Sequence, residues 1–293
     1  MSDVTAPGLY SPPASGRSKP LRATIMHTVL FLASLVMIYP LLWMLSASFK
    51  PDAEIFGNSS LIPSSFSADA YVRGWTGLSV SFGTFFANSL VIAVLSIIGN
   101  LVACSLTAFA FSRLEFLGRR FWFGAMLLTM MLPYHVTLIP QYVLFLNIGW
   151  VNTFLPLVVP KFLAADSFFI FLMVQFFRGI PKELDEAAMM DGCSPWRIYY
   201  RIMLPLSLPV LTTAGIFTFI FTWDDFFGPL IYLSDIKTYT VTIALRTFVD
   251  STAESNWSGL FAMSMLSLVP IFVLFLFFQR YLIEGIATTG MKR

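Results

Sequence analysis

Six apolar stretches, at residues 24–47, 85–111, 122–144, 154–177, 207–233 and 259–278, run through the chain. Each is long enough to cross a hydrocarbon core of about 30 Å, which takes roughly 20 apolar residues in a helix. In lipid every backbone N–H and C=O must be satisfied inside the segment or in a closed barrel. Runs this long therefore predict an all-α polytopic membrane protein with six transmembrane helices. Only 12% of residues are charged, against about 25% in a soluble domain. That composition excludes a cytosolic enzyme and a secreted disulfide scaffold, and a net charge of +2 offers no basic patch for nucleic acid.

No segment between the spans reaches the ~50 residues of a small folded domain. The reading is thus a disordered tail at 1–22, rich in Pro, Ser and Gly, followed by a single transmembrane domain at 23–293. The first span is too long for the 7–15-residue core of a secretory signal and is read as retained. Lys and Arg sort the connecting segments into two classes. Arg113, Arg119, Arg120, Arg178, Lys182, Arg197 and Arg201 fall on the side of both termini, whereas Lys50, Arg73, Lys237 and Arg246 fall on the other. This asymmetry places both termini in the cytoplasm. Cys104 then lies in the second span and Cys193 in the cytosol, which disfavours a disulfide.

The segment at 178–205 carries the most local information. Pro181 suits a first helical turn, with Glu183, Asp185 and Glu186 near its positive end. Gly192 supplies a stop, and Ser194-Pro195 starts a second helix. The prediction is a cytosolic helical hairpin whose first helix presents Leu184, Ala187, Ala188 and Asp191 on one face. Two alanines leave a narrow surface that fits a groove of another protein, or that packs the loop on its own span.

Glu186-Ala187-Ala188, Asp191-Gly192 and then Ile202, Leu204 and Pro205 resemble the EAA loop of ABC importer permeases. Further stretches are similar to the maltose-type carbohydrate permeases: YPLLWMLSASFK at 39–50, Asn88-Ser89, AFAFSR at 108–113, and FQRY at 278–281 with Gly285. The resemblance extends over nearly the whole chain. It implies the type I importer permease fold in a bacterial inner membrane, with Glu186, Ala187, Ala188, Asp191 and Gly192 coupling to a separate ATPase. It further implies a heterodimer with a second homologous permease subunit, two ATPase subunits that bind ATP and Mg, an extracytoplasmic solute-binding protein, and a sugar, oligosaccharide or related solute moved by alternating access. The chain itself would then hold no cofactor and be no enzyme. It contains no G-x-x-x-x-G-K-[ST] phosphate loop, so the ATPase must be another chain.

Ionisable groups at membrane depth are costly, which marks Asp166, Asp224 and Asp225. Trp223 beside the last two offers a flat apolar face, and the carboxylates accept hydroxyl hydrogen bonds, a chemistry suited to sugars. The same acids equally suit the cap of a helix break. Lys161 and Asp166 stand five apart, miss the i, i+4 pairing distance, and are expected to flank an irregular stretch near Pro160 towards the outer surface. Pro133 and Pro140, Pro156 and Pro160, and Pro270 predict interruptions in spans three, four and six, near which Tyr134 and Gln141 are candidates to line a pathway. The alternative reading is an ion-coupled secondary transporter using the intramembrane Asp residues as a relay. His27 and His135 are too few for a metal site.

Overall fold

The computed structural model describes residues 19–57, 60–249 and 256–290, with side chains from residue 22 to residue 280 within those ranges. Among them every regular element is helical: α1 (Lys19–Ala47), α2 (Asp52–Ile55), α3 (Asp69–Thr76), α4 (Phe82–Arg113), α5 (Arg119–Thr129), α6 (Tyr134–Asn147), α7 (Leu155–Phe162), α8 (Ser167–Gly179), α9 (Glu183–Met190), α10 (Pro195–Ile198), α11 (Leu204–Leu206), α12 (Leu208–Trp223), α13 (Phe227–Tyr232), α14 (Val241–Thr247) and α15 (Trp257–Gly290). A π turn at Tyr199–Met203 joins α10 to α11. Residues 1–18 of the expected tail lie outside the described residues, and from Lys19 the chain is already helical.

Four spans are unbroken or nearly so: Arg22–Ala47, Phe82–Arg113, Leu155–Gly179 and Trp257–Arg280. Two helix pairs add further spans only if each bent pair is counted as one. The first, α5 and α6, bends by 101° at the four residues ending in Pro133. Proline has no N–H and restricts the residue before it, so a helix ends there readily. The second joins 195–206 to α12 at 76°, where Pro205 and Pro209 flank Ser207. Pro140 and Pro270, expected to interrupt their spans, are instead absorbed inside continuous helices. Span four breaks after Pro160 rather than at it, over residues 163–166, with Ala164 at φ 54°.

α4 and α12 form the spine. With α8, α9 and the π turn they bury Phe111, Phe169, Met173, Phe177, Met203 and Ala214. With α3, α14 and α15 they bury Phe82, Phe85, Phe219, Trp223 and Met263. Helices in lipid gain little by hiding apolar surface from one another, so close approach and polar contacts decide the packing. Gly99 permits one such approach: a Cβ there would press into the Phe162 ring, at 2.5 Å from its Cδ2. Asn100, wholly buried, donates to Thr218 Oγ1 at 2.7 Å and accepts from Cys104 Sγ at 2.9 Å, joining α4 to α12.

Candidate functional site

The hairpin begins where α8 ends, because Ile180 precedes Pro181 and takes an extended backbone. α9 starts at Glu183, two residues later than Pro181 suggests, with Glu183, Asp185 and Glu186 in its first turn. Its end follows the sequence expectation. Gly192 adopts φ 76°, its N–H donates to Met189 O at 3.0 Å, and the Cys193 N–H donates to Ala188 O at 2.9 Å. These two bonds satisfy carbonyls that the helix end would leave orphaned. Ser194 Oγ then accepts from the Arg197 N–H at 3.4 Å and caps α10.

The expected single face divides in two. Asp185 and Ala188, one turn apart, face the bundle, each 8% exposed. Leu184, Glu186, Ala187, Asp191 and Gly192 face outward, with Met190 89% exposed beside them. Ala188 thus packs the hairpin on its own bundle, and Ala187 alone of the alanine pair stays exposed. The inward half has a specific anchor. Arg113, at the last turn of α4, places Nε 3.0 Å from Asp185 Oδ2 and donates Nη2 to Ile180 O at 2.7 Å. Ser105 and Tyr199 add a hydroxyl pair at 2.7 Å. Burial pushes the Asp185 carboxyl above its ordinary range, and Arg113 opposes that shift without cancelling it. Its second oxygen, Oδ1, is buried with no hydrogen-bond partner among the described residues. Sequence reasoning gave Asp185 only a helix-end role. The clue was Arg113 in the AFAFSR stretch, a cation closing an apolar run.

The helix breaks gather the intramembrane polar residues differently from the sequence expectation. Lys161 and Asp166, judged too far apart, form an ion pair of 2.8 Å. The i, i+4 rule fails because residues 163–166 are not helical and the chain curls back. Trp223 leaves the candidate set: it is 3% exposed, stacks on Phe219 with ring centroids 5.4 Å apart, and donates Nε1 to Ser267 O at 3.0 Å. Its rotation at the end of α12 buries the indole between α4 and α15, so no face remains for a sugar. Asp224 is exposed as the C-cap residue of α12. Asp225 is partly buried, and its Oδ1 accepts from the Gly228 N–H at 3.1 Å at the start of α13. Tyr134 and Gln141 are exposed on α6, two turns apart. Tyr134 and Lys161 both lie within electrostatic reach of Asp225, and His135 meets the Phe227 ring at 5.2 Å. Tyr134, Lys161, Asp224 and Asp225 therefore share one level of the bundle. Lys161 is the residue that sequence reasoning missed there, legible only as a lone cation within an apolar run. Asp166 is paired and Asp225 caps a helix, so nothing in the arrangement favours a proton relay.

Asn88 and Ser89 also acquire a role. Asn88 Nδ2 donates to Lys237 O and Tyr239 O at 2.8 and 2.9 Å, and Ser89 Oγ accepts from the Val241 N–H at 2.9 Å. They pin the loop before α14 to the end of α4 farthest from the hairpin.

Residues 99–288 match a family described as the binding-protein-dependent transport system inner membrane component. A probable ABC transporter permease protein, YurM, of Bacillus subtilis is 35% identical over 92% of this chain and 88% of its own length. The arabinooligosaccharides transport system permease protein AraQ of Halalkalibacterium halodurans is 31% identical over 94% of this chain and 99% of its own. Among solved structures, a bacterial ABC transporter involved in the import of the acidic polysaccharide alginate aligns at a TM-score of 0.81 and 22% identity, covering 92% of this chain and 99% of that one, a likeness of fold.

Proposed function

Because the chain belongs to the binding-protein-dependent transport system inner membrane components and is an ABC transporter permease, we propose that it forms half of an import pathway for a sugar, oligosaccharide or related solute. In this reading the chain crosses the bacterial inner membrane six times, each bent pair serving as one span, with both termini in the cytoplasm. The basic residues at the hairpin end support that orientation. A second, homologous permease subunit completes the pathway, two ATPase subunits bind ATP and Mg, and an extracytoplasmic binding protein delivers the solute. The full-length likeness to a permease named for arabinooligosaccharides supports the substrate class.

The observation that carries the reading is the hairpin's outward side. Glu186, Ala187 and Asp191 stand free on a short helix whose other side is pinned to α4 by a buried charge pair. A partner that grips this side can move α4 and α12 through a stiff connection. The level defined by Tyr134, Lys161, Asp224 and Asp225 is where solute hydroxyls meet polar side chains, with Gln141 two turns away. Trp223 supports that wall from behind.

The test exploits the exposure of Ala187, where a larger side chain leaves the fold intact. Ala187→Arg is expected to abolish solute uptake in membrane vesicles, while the chain still inserts and ATP hydrolysis no longer depends on the binding protein. Uptake that persists with Ala187→Arg and with residues 186–192 deleted would sink the coupling role.

A further inference from the structure

The turn between α4 and α5 and the last turn of α8 enclose an open cavity of about 660 Å³ beside the hairpin. Neither the hairpin nor the helix breaks make use of it. Its lining includes three guanidinium groups, Arg119, Arg120 and Arg178, against one carboxylate, Glu115. The volume falls within the roughly 300–1,000 Å³ of small-ligand sites. None of the three arginines takes part in the ion pairs of the described residues, which join Arg113 to Asp185 and Lys161 to Asp166. Arg178 lies over the Phe123 ring, 5.0 Å from its centroid, and Arg119 Nη1 donates to Leu114 O at 3.1 Å. Both contacts hold a guanidinium in place and leave its charge unneutralised.

Next to this basic concavity the chain turns apolar outward. Leu117 is 99% exposed, Phe121 70% and Trp122 58%, all at the start of the bent α5–α6 pair, which the proposed topology counts as one span. Exposed aromatic residues at a span end mark the depth of lipid headgroups. Guanidinium groups pair with phosphate oxygens in a bidentate fork, and basic pockets between membrane helices suit anionic headgroups.

We propose that this cavity binds the phosphate of an anionic phospholipid headgroup, whose acyl chains run along the Phe121 and Trp122 side of α5. Arg178 lies two residues before Ile180, whose carbonyl is held by Arg113. A bound headgroup therefore tethers the root of the hairpin to the membrane surface.

The full chain, purified from membranes with whatever subunits it carries, would be incubated with phosphatidylglycerol, with phosphatidylethanolamine, or with phosphatidylglycerol plus soluble glycerol phosphate. Retained lipid is then counted by native mass spectrometry. Phosphatidylglycerol is expected to be retained and phosphatidylethanolamine not. The double variant Arg120→Gln, Arg178→Gln should lower retention by roughly tenfold or more. Glu115→Gln should raise it, a gain that misfolding cannot produce. Equal retention of the two lipids, or retention indifferent to all these substitutions, overturns the proposal. Displacement by glycerol phosphate at millimolar concentration reassigns the site to a soluble phosphate and overturns the lipid assignment.

Discussion

At the end of the bundle farthest from the hairpin, neutral and single-charge hydrogen bonds tie the loops down in many places. Asn88 holds two carbonyls, and Asn152 Oδ1 accepts from Ser234, Asp235 and Thr238. Lys50 reaches Ser60 O at 2.5 Å, and Asp52 accepts from the Ser258 N–H at 2.6 Å, joining α2 to the start of α15. At the hairpin end, by contrast, one buried ion pair and one hydroxyl pair connect α9 and the π turn to α4. Distributed hydrogen bonds of about 1 kcal/mol each fail one at a time. A buried charge pair fails as a unit, because losing one partner strands the other charge. One end is a cap held at many points, and the other hangs on a buried charge pair that acts as its pin, with one hydroxyl pair beside it.

The largest effect should come from removing the pin. Arg113→Ala is expected to cost about 3 kcal/mol in hairpin docking. Hydrogen exchange across residues 183–191 should accelerate while the loop before α14 keeps its protection. Equal loosening at both ends would erase the distinction. Next in size is Gly192→Ala, at about 1–2 kcal/mol, the cost of a left-handed backbone for a residue with Cβ. Nothing lies within 4 Å of the added atom, so the loss is conformational, not steric. Gly192→Asn, which tolerates that backbone better, should recover much of it in a thermal melt.

At the opposite end Asn88→Ala should cost only about 1 kcal/mol, because the Ser89 and Asn152 contacts persist. The variant should keep uptake coupled to ATP. Complete uncoupling would mean that the cap, too, is a moving part. The smallest effect is a pH dependence confined to the hairpin. The Asp185 carboxyl is raised in the folded chain, so the folded state binds more protons than the unfolded state just above the ordinary carboxylate value of 3.8. Docking stability should therefore fall as pH rises through the raised Asp185 value and level off once that carboxyl is fully ionised. Asp185→Asn should flatten the exchange profile of α9 over that window, whereas an unchanged profile would refute the assignment.

Much of the hairpin was legible because local chemistry decides it. Gly192 stops α9 and Ser194 caps α10 wherever that stretch lies in space. The helix breaks were legible only in part. Pro133 ended a helix as expected, but Pro140 and Pro270 did not, since neighbouring turns absorb the missing N–H. The irregular stretch expected near Pro160 is present at 163–166, but the Lys161–Asp166 pair across it was misjudged because the i, i+4 spacing rule assumes a continuous helix.

How much of the chain is apolar enough for lipid, which segments carry positive charge, and where the short charged hairpin lies can all be read from the order of residues. Those properties are sums over residues and need no fold. Which way each side chain points emerges only when the helices pack: Ala188 inward and Ala187 outward, Trp223 into the core, Asp185 onto Arg113. The physical reason is the apolarity itself. A helix in water shows its buried face by an apolar stripe, but a helix apolar all round shows none. Its rotation is then set by close contacts such as Gly99 on Phe162 and by polar contacts such as Asn100 to Thr218, which exist only once the helices have packed.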